Sequence, residues 1–392
     1  MPKRPCWVEI ATHALEDNYR YLHSLASPHA QLLAIVKADA YCHSLALCAP
    51  AALRAGARWL GVTSVEEGVA ARELCKHGHI LVIGGVFADQ GLAVLEHGLT
   101  TVAWEPWQLD EIQSAARGSS IHAGALPVHL EIDTGMSRQG VSDADTLAVM
   151  LARFRAGVSL KLDGVMTHLL AADESDGTVT ATQLDRLDEV LKQIHGAGLR
   201  PEWLNVGNSA ALLGGQARAI GELAGRYGMK ALMRPGLALY GLAPRFAPDE
   251  PAAVTEARRQ LKPVLSWKAA VVSVRTVPMG TVVGYNGTFI ATEPMRLALV
   301  AVGYGDGLDR RLGNQFSLLV RGQRAPIAGR VSMDQTVLDV TDISGVQPGD
   351  EVVILGTQGD EAITAFDHAD ICGTIPWEIC TRIGARVRRI AV

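Results

Sequence analysis

Up to about residue 240, short, largely apolar strand-like runs alternate with longer stretches whose apolar positions recur at helical spacing. The runs 32–36, 59–62, 80–83, 100–103, 128–132, 161–166, 203–206 and 231–233 predict strands of a buried parallel sheet. Between them, Val65–Cys75, Thr146–Phe154 and Thr182–Ile194 read as amphipathic helices, and a further helix from about Thr12 to Leu25 precedes the first strand. Eight strands with crossover helices in this length match a (β/α)8 barrel; a doubly wound open sheet is the competing arrangement.

After Gly241 the texture changes. Ala243–Arg259, rich in proline, alanine and charge, reads as a linker. Beyond it Val271–Val277, Leu297–Val302, Ser317–Val320, Thr336–Val340 and Glu351–Leu355 are separated by Asn286-Gly287, Asp306-Gly307 and Pro348-Gly349. Short strands punctuated by such turns predict a mainly β domain, with one helix near Thr364–Cys372. The expected fold class is α/β: an N-terminal (β/α)8 TIM-type barrel over residues 1–243, then a mainly β C-terminal domain over residues 244–392.

Composition narrows the picture. With 392 residues, 48% hydrophobic and 20% charged, the chain has the balance of an ordinary globular protein and the length for two domains. A net charge of −5 without a basic stripe argues against a nucleic-acid partner. No run is long enough to span a membrane, and no apolar stretch follows the basic residues of MPKRPCWVEI, so neither a membrane partner nor a signal peptide is expected. Six cysteines without a CxxC pair fit a reducing cytoplasm, and the histidines, His77-Gly78-His79 included, lack a recognised ligand spacing, so no metal is expected.

Polar residues fall where a barrel needs them, just after its strands. Lys37 follows the first strand inside VKADAY; Asp133-Thr134-Gly135 and Arg138 follow the fifth; His168 ends the sixth. Asn208-Ser209 follow the seventh and Arg234-Pro235-Gly236 the eighth. Alone, each reads equally as a turn, a cap or a surface charge. A lysine at the mouth of a buried strand is poorly solvated, which frees its amine to attack a carbonyl. The last two loops, with Ser209 and their glycines, lie where such barrels bind phosphate. An amine beside a phosphate cradle points to pyridoxal 5'-phosphate. In the β domain, Tyr285 sits in the glycine-flanked turn VGYNG and either presents its phenol outward or packs under a hairpin. GYGDG at 303–307 is similar to a dinucleotide fingerprint, but no helix follows it, so nicotinamide binding is not expected.

Ten strings in order then carry a resemblance over nearly the whole chain: WVEI (7–10), VKADAY (36–41), DTGMSRQG (133–140), THLLAADE (167–174), GNSAA (207–211), RPGLALYG (234–241), LKPVLSWKA (261–269), VGYNGTF (283–289), VGYGDG (302–307) and GRVSMDQ (329–335). The chain resembles the fold-type III alanine racemase family. That resemblance implies a cofactor held by Lys37, with Tyr41, Ser209, Gly236 and Leu237 about its phosphate and Asn208 among the other cofactor-binding residues. It implies that Lys37 and Tyr285 are the bases on opposite faces of the substrate Cα. His168 and Arg234 would link the tyrosine to the pyridine ring, Arg234 facing its nitrogen. Arg138 would meet the cofactor phenolate and the substrate carboxylate, which the backbone of Met333 would also receive. A head-to-tail homodimer with a shared active site is also implied, as is D-alanine supply for peptidoglycan.

Three positions depart from the family pattern. Glu131 stands where many relatives carry a carbamylated lysine, and is expected to replace its charge without reaching Arg138 directly. Trp377 replaces a tyrosine. Cys42 and Ser44 replace glycines, and a tight turn with ordinary φ is expected at Cys42. Alanine is the leading substrate. The alternatives are a broad-specificity amino-acid racemase, a pyridoxal-phosphate-dependent decarboxylase, disfavoured by the missing glycine-triplet motif, and a non-enzymatic pyridoxal-binding protein, disfavoured by the long β domain.

Overall fold

A computed structural model describes residues 4–118, 125–156 and 159–392. The chain forms two compact units. Residues 13–40 and 48–262 make one of them; residues 4–12, 41–47 and 263–392 make the other. Residues 1–3, at the head of the expected first domain, lie outside the described residues.

The first strand in the chain, β1 (Cys6–Ile10), belongs to the second unit. The next eight are β2 (Ala30–Ile35), β3 (Trp59–Val62), β4 (His79–Val82), β5 (Thr100–Ala103), β6 (Leu126–Glu131), β7 (Leu160–Met166), β8 (Trp203–Asn205) and β9 (Lys230–Met233). They pair in sequence order, all parallel, and β2 closes the ring on β9. The barrel, and not the open sheet, is the arrangement formed. Its strands are mostly apolar and buried because both faces are covered, from inside by side chains and from outside by helices. Packing inside is close: a Cβ added at Gly61 would stand 2.3 Å from Leu33 Cδ2 and 2.6 Å from Ile35 Cδ1. The expected helices form over Thr12–Ala26, Val65–Leu74, Ala144–Ala156 and Thr178–Gly196. Part of the expected linker is ordered as the helix Ala252–Gln260, whose Val254 and Ala257 are buried.

The second unit is a nine-stranded sheet with a small hairpin. After β1 come β10 (Leu265–Val277), the hairpin strands β11 (Val282–Val283) and β12 (Phe289–Ile290), then β13 (Met295–Val300), β14 (Ser317–Val320) and β15 (Gln323–Pro326). β16 (Thr336–Asp339), β17 (Glu351–Gln358), β18 (Glu361–Ile363) and β19 (Arg388–Ala391) complete it. The long β10 is its spine, pairing antiparallel with β1, β13 and β17. β1 runs with Cys6 opposite Ala269 and Ile10 opposite Leu265, and on its other edge pairs parallel with β19. A boundary drawn at residue 243 therefore leaves two N-terminal segments, residues 4–12 and 41–47, on the far side of it. The helix expected near residue 364 spans Ala365–Cys372, with Thr364 and Asp367 forming a capping box.

Candidate active site

Lys37 leaves the C-terminal end of β2 and opens an unusual turn. Ala38, Asp39, Ala40, Tyr41 and Cys42 have φ of 53°, 51°, 57°, 53° and 60°, and Ser44 follows at 75°. Ordinary φ was the expectation at Cys42, and it is not what forms. Glycine would occupy the left-handed region freely; this chain enters it with side chains, at about 1–2 kcal/mol per residue. The turn is held from the barrel side by two bonds. Ala40 N–H donates to Val36 O at 2.9 Å, and Ala38 N–H donates to Glu67 Oε1 at 2.7 Å. Burial lowers the Lys37 pKa, and the positive charges of Arg138 and Arg234 add to that while Glu67 opposes it. The amine is consequently easier to deprotonate than a solvated lysine.

Arg234, at the end of β9, is 4% exposed. Its Nη1 donates to Asn205 O at 2.8 Å and Asn205 Oδ1 at 2.6 Å, and its Nη2 donates to Thr167 O at 3.0 Å. Nη2 also lies 3.1 Å from His168 Nδ1. A guanidinium can only donate, so His168 Nδ1 accepts and the neutral ring carries its proton on Nε2. Burial lowers the His168 pKa to about 3, with Arg234, Arg138 and Lys37 adding to the effect, so the ring is neutral at physiological pH. Burial lowers Arg234 to about 10, which still leaves it charged there.

Beneath Arg234 the polar chain continues into the barrel. With Asn205 Oδ1 committed to Arg234, its Nδ2 faces His129 Nδ1 at 3.4 Å. His129 is fully buried, its Nε2 3.8 Å from Asp163 Oδ2, and Asp163 Oδ1 in turn accepts from Lys161 at 2.5 Å. Trp59 packs on the ring with centroids 5.8 Å apart.

Two loops after β8 and β9 are stitched by one hydroxyl: Ser209 Oγ accepts from Gly236 N at 3.0 Å and Ala238 N at 3.2 Å. Asn208 caps the short helix Ser209–Leu213, its side chain accepting from Ala211 N. Leu237 is buried in the 3-10 turn Leu237–Tyr240, which Tyr240 fastens to β2 by donating to Ile35 O at 2.8 Å. After β6, Asp133 Oδ1 accepts from the N–H groups of Gly135, Met136 and Ser137. That folded loop sets Arg138 beside His168, Met136 and Glu131 along one cleft. Glu131 is buried, which raises its pKa, and its carboxylate accepts from Gln139 at 2.5 Å. Lys37, Arg138, His168, Asn208, Ser209, Arg234, Gly236 and Leu237 thus belong to one unit, the barrel.

Tyr41, Tyr285 and Met333 belong to the β unit. Tyr285 is 68% exposed, which settles between its two readings: the phenol is presented outward. Its turn stands on a core in which Val283 packs with Met295, Leu297 and Ala328. Met333 is 53% exposed and its carbonyl accepts from Gly305 N at 2.8 Å. A Cβ at Gly303 would lie 2.3 Å from Ser332 O, so GYGDG is a backbone crossing that seats residues 332–333. Its Asp306 is buried and accepts from Arg4 at 2.7 Å and Gly303 N at 2.9 Å. Asn205, Thr167, Glu67 and His129 were not singled out in the sequence. Asn205 ends an apolar run in WLN, and Glu67 stands three residues after Ser64 in a helix-start pattern; neither string names its distant partners.

Residues 10–244 match the model of the alanine racemase N-terminal domain, and residues 264–391 match that of the alanine racemase C-terminal domain. The chain belongs to the alanine racemase family. Within that family, an alanine racemase from a Nostoc species is 37% identical over 389 residues, covering 98% of this chain and 95% of the relative. The crystal structure of the Bacillus anthracis alanine racemase with bound L-Ala-P superposes with a TM-score of 0.86 at 32% identity, covering 100% of this chain and 96% of that one. That of Bartonella henselae, with covalently bound pyridoxal phosphate, superposes with a TM-score of 0.83 at 26% identity and 99% coverage of each. The alanine racemase family uses pyridoxal 5'-phosphate, and the donor set here fits it. Lys37 offers an amine of lowered basicity, Arg234 a fixed guanidinium, and Ser209 ties together two backbone loops at the same rim. Among the described residues no helix is long and apolar enough to cross a membrane.

Proposed function

We propose that the protein interconverts L-alanine and D-alanine with pyridoxal 5'-phosphate, by a two-base mechanism. The observation that carries this reading is the buried pair of Arg234 and neutral His168 at the barrel rim that also bears the Lys37 amine. The chemistry the cofactor supplies when bound is delocalisation of the negative charge left as Cα loses its proton. Lys37 anchors it, and Nζ moves a proton on one face of Cα; its lowered pKa keeps a larger neutral fraction available to do so. Arg234 is the residue that would face the cofactor's ring nitrogen, where its positive charge would disfavour a proton and limit side reactions such as transamination. Ser209, Gly236, Leu237 and Tyr41 would hold the phosphate, and Asn208 would contribute to the cofactor site. Arg138 and the Met333 backbone orient the substrate carboxylate.

Racemisation returns the proton to the face opposite the one it left, so a second group is needed, and Tyr285 Oη is that group. A phenol of ordinary pKa near ~10 needs help to act as a base. His168, neutral with its proton on Nε2, is a donor suited to stabilise the phenolate. Tyr285 comes from the second copy of a head-to-tail homodimer. The exposure of Met279, Val282, Tyr285 and Ile290 around the β11–β12 hairpin supports a covered face there. The product serves peptidoglycan synthesis in the cytoplasm.

The test is α-proton exchange. The loaded protein is incubated with L-alanine, L-serine and L-lysine separately in D2O, and enantiomer ratio and α-deuterium are followed. Alanine alone should racemise with deuterium incorporation; comparable turnover of all three would replace the assignment with a broad-specificity racemase, and carbon dioxide release with a decarboxylase. Tyr285→Phe should exchange the α-proton without inversion. Full racemisation by that variant would remove Tyr285 from the mechanism.

A further inference from the structure

We propose that Glu67 is a positioning residue for Lys37, tying the first peptide of the left-handed turn to the end of β3. The inference rests on the assignment of Lys37 as the cofactor anchor. Ser64 caps the helix Val65–Leu74, its hydroxyl accepting from Glu67 N at 3.3 Å. In a capping box of this S-x-x-E form, the glutamate reaches back to the N–H of the capping residue itself. Glu67 does something different. Its Oε2 accepts from Thr63 N at 2.7 Å, and its Oε1 crosses to the preceding βα loop and accepts from Ala38 N, also at 2.7 Å.

A helix cap accounts for the bond to Thr63. It does not account for the bond to Ala38, which comes from a different loop of the barrel. Ala38 directly follows Lys37 and is the first of five consecutive residues with side chains held at positive φ. A run of that kind persists only where its surroundings hold it. Short bonds from backbone N–H groups to an ionised carboxylate are among the stronger restraints available. The carboxylate is also the group that opposes Arg138 and Arg234 in their effect on the Lys37 amine. One side chain thus restrains the backbone on which Lys37 sits and moderates the field at its nitrogen.

Glu67→Gln keeps the size but brings one N–H2 group, so one of the two backbone donors loses its acceptor; Glu67→Ala removes both. In cofactor-free protein, hydrogen exchange of the peptide spanning residues 36–42 should speed up by at least about 10-fold in Glu67→Gln, and further in Glu67→Ala. The middle of helix Val65–Leu74 should keep its protection. In the same samples, the pH at which Lys37 is half-modified by an acetylating reagent should fall, because the opposing negative charge is gone. In the loaded enzyme kcat should drop by about 10- to 100-fold with KM for alanine changed less than about 3-fold, the pattern of a misplaced group, not of lost binding. Unchanged exchange at residues 36–42 in Glu67→Gln overturns the proposal, as does exchange rising equally along the whole helix, which marks a plain capping role. If Glu67→Ala does not fold, Glu67→Gln decides alone. Failure of borohydride reduction to fix the cofactor on Lys37 of the unaltered protein would instead overturn the anchor assignment, and the exchange result would stand apart from it.

Discussion

His168 shows how far a single residue can be read and where reading stops. Its place after a strand marked it as a rim residue, yet its protonation state depends on Arg234, which lies 66 positions later and 3.1 Å away. Cys42 failed in the opposite direction: nothing in VKADAYC announces positive φ, and the bonds that hold the start of the turn, Ala38 N–H to Glu67 and Ala40 N–H to Val36, do not follow from local preference. The neutrality of His168 has a consequence for acid stability. Its folded pKa, about 3, lies below the unfolded value near ~6.5, so as the pH falls the unfolded chain takes up the proton first. The contribution is fully present above pH ~6.5 and is lost progressively toward pH ~3, at up to about 1.4 kcal/mol per unit. Urea unfolding at pH 7 and pH 5 checks this: His168→Asn should lose about 2 kcal/mol less than the unaltered protein between the two. Equal losses would mean that His168 is already charged in the folded state, or already free.

At the scale of elements, the strand runs of the barrel were legible to within two residues at either end, since strands covered on both faces are predominantly apolar. Leu32 to Val36 is buried at every position. β1 carried a different signature that was equally available: its burial alternates through Cys6, Val8 and Ile10 with Trp7 and Glu9 outward, the mark of a sheet with one covered face. That alternation sets it apart from the barrel strands, but its partner lies more than 250 residues away and no local pattern supplies the pairing. The interior layer was legible only as glycine and histidine scattered among apolar residues. Gly164 illustrates the reason for one of them. A Cβ there would stand 2.7 Å from three atoms of the His129 ring, which is buried and braced by Trp59 and cannot withdraw. Gly164→Ala should therefore destabilise the protein by about 1–3 kcal/mol and lower Tm by several degrees. Gly225→Ala is the contrast, in the helix Ala217–Arg226 with nothing within 4 Å of the added carbon, and should be neutral or stabilise by up to about 1 kcal/mol. Thermal melts of the pair separate steric filling from glycine flexibility; a Gly164→Ala protein melting with the unaltered one would show that the barrel interior yields.

For the whole molecule, two units in the chain do not mean two independent segments. The second unit takes its first strand from residues 6–10 and the rest after residue 263, with the barrel sequence lying between. Val8 and Ile10 are fully buried, and burying two such side chains contributes about 3–6 kcal/mol, comparable with the entire margin of a small domain. β1 is also the strand through which β19 joins the sheet. Removing it exposes the apolar edge of β10 at Leu265–Ala269 and leaves the four residues of β19 without the partner that orders them. Residues 264–392 expressed alone should accordingly unfold without a sharp transition and bind apolar dyes. The same segment with residues 4–12 fused through a flexible linker should recover a cooperative urea transition with a slope suited to its size. A sharp transition in the segment alone would show that β10, β13 and β17 suffice as a nucleus and that β1 is an addition to a sheet already stable. Failure of both would point instead to residues 41–47, where Arg389 donates to Cys42 O at 3.0 Å and the Cys42 thiol to Thr381 O at 3.2 Å. Adding that second segment to the fusion then decides whether the unit requires all three pieces of the chain before it can fold.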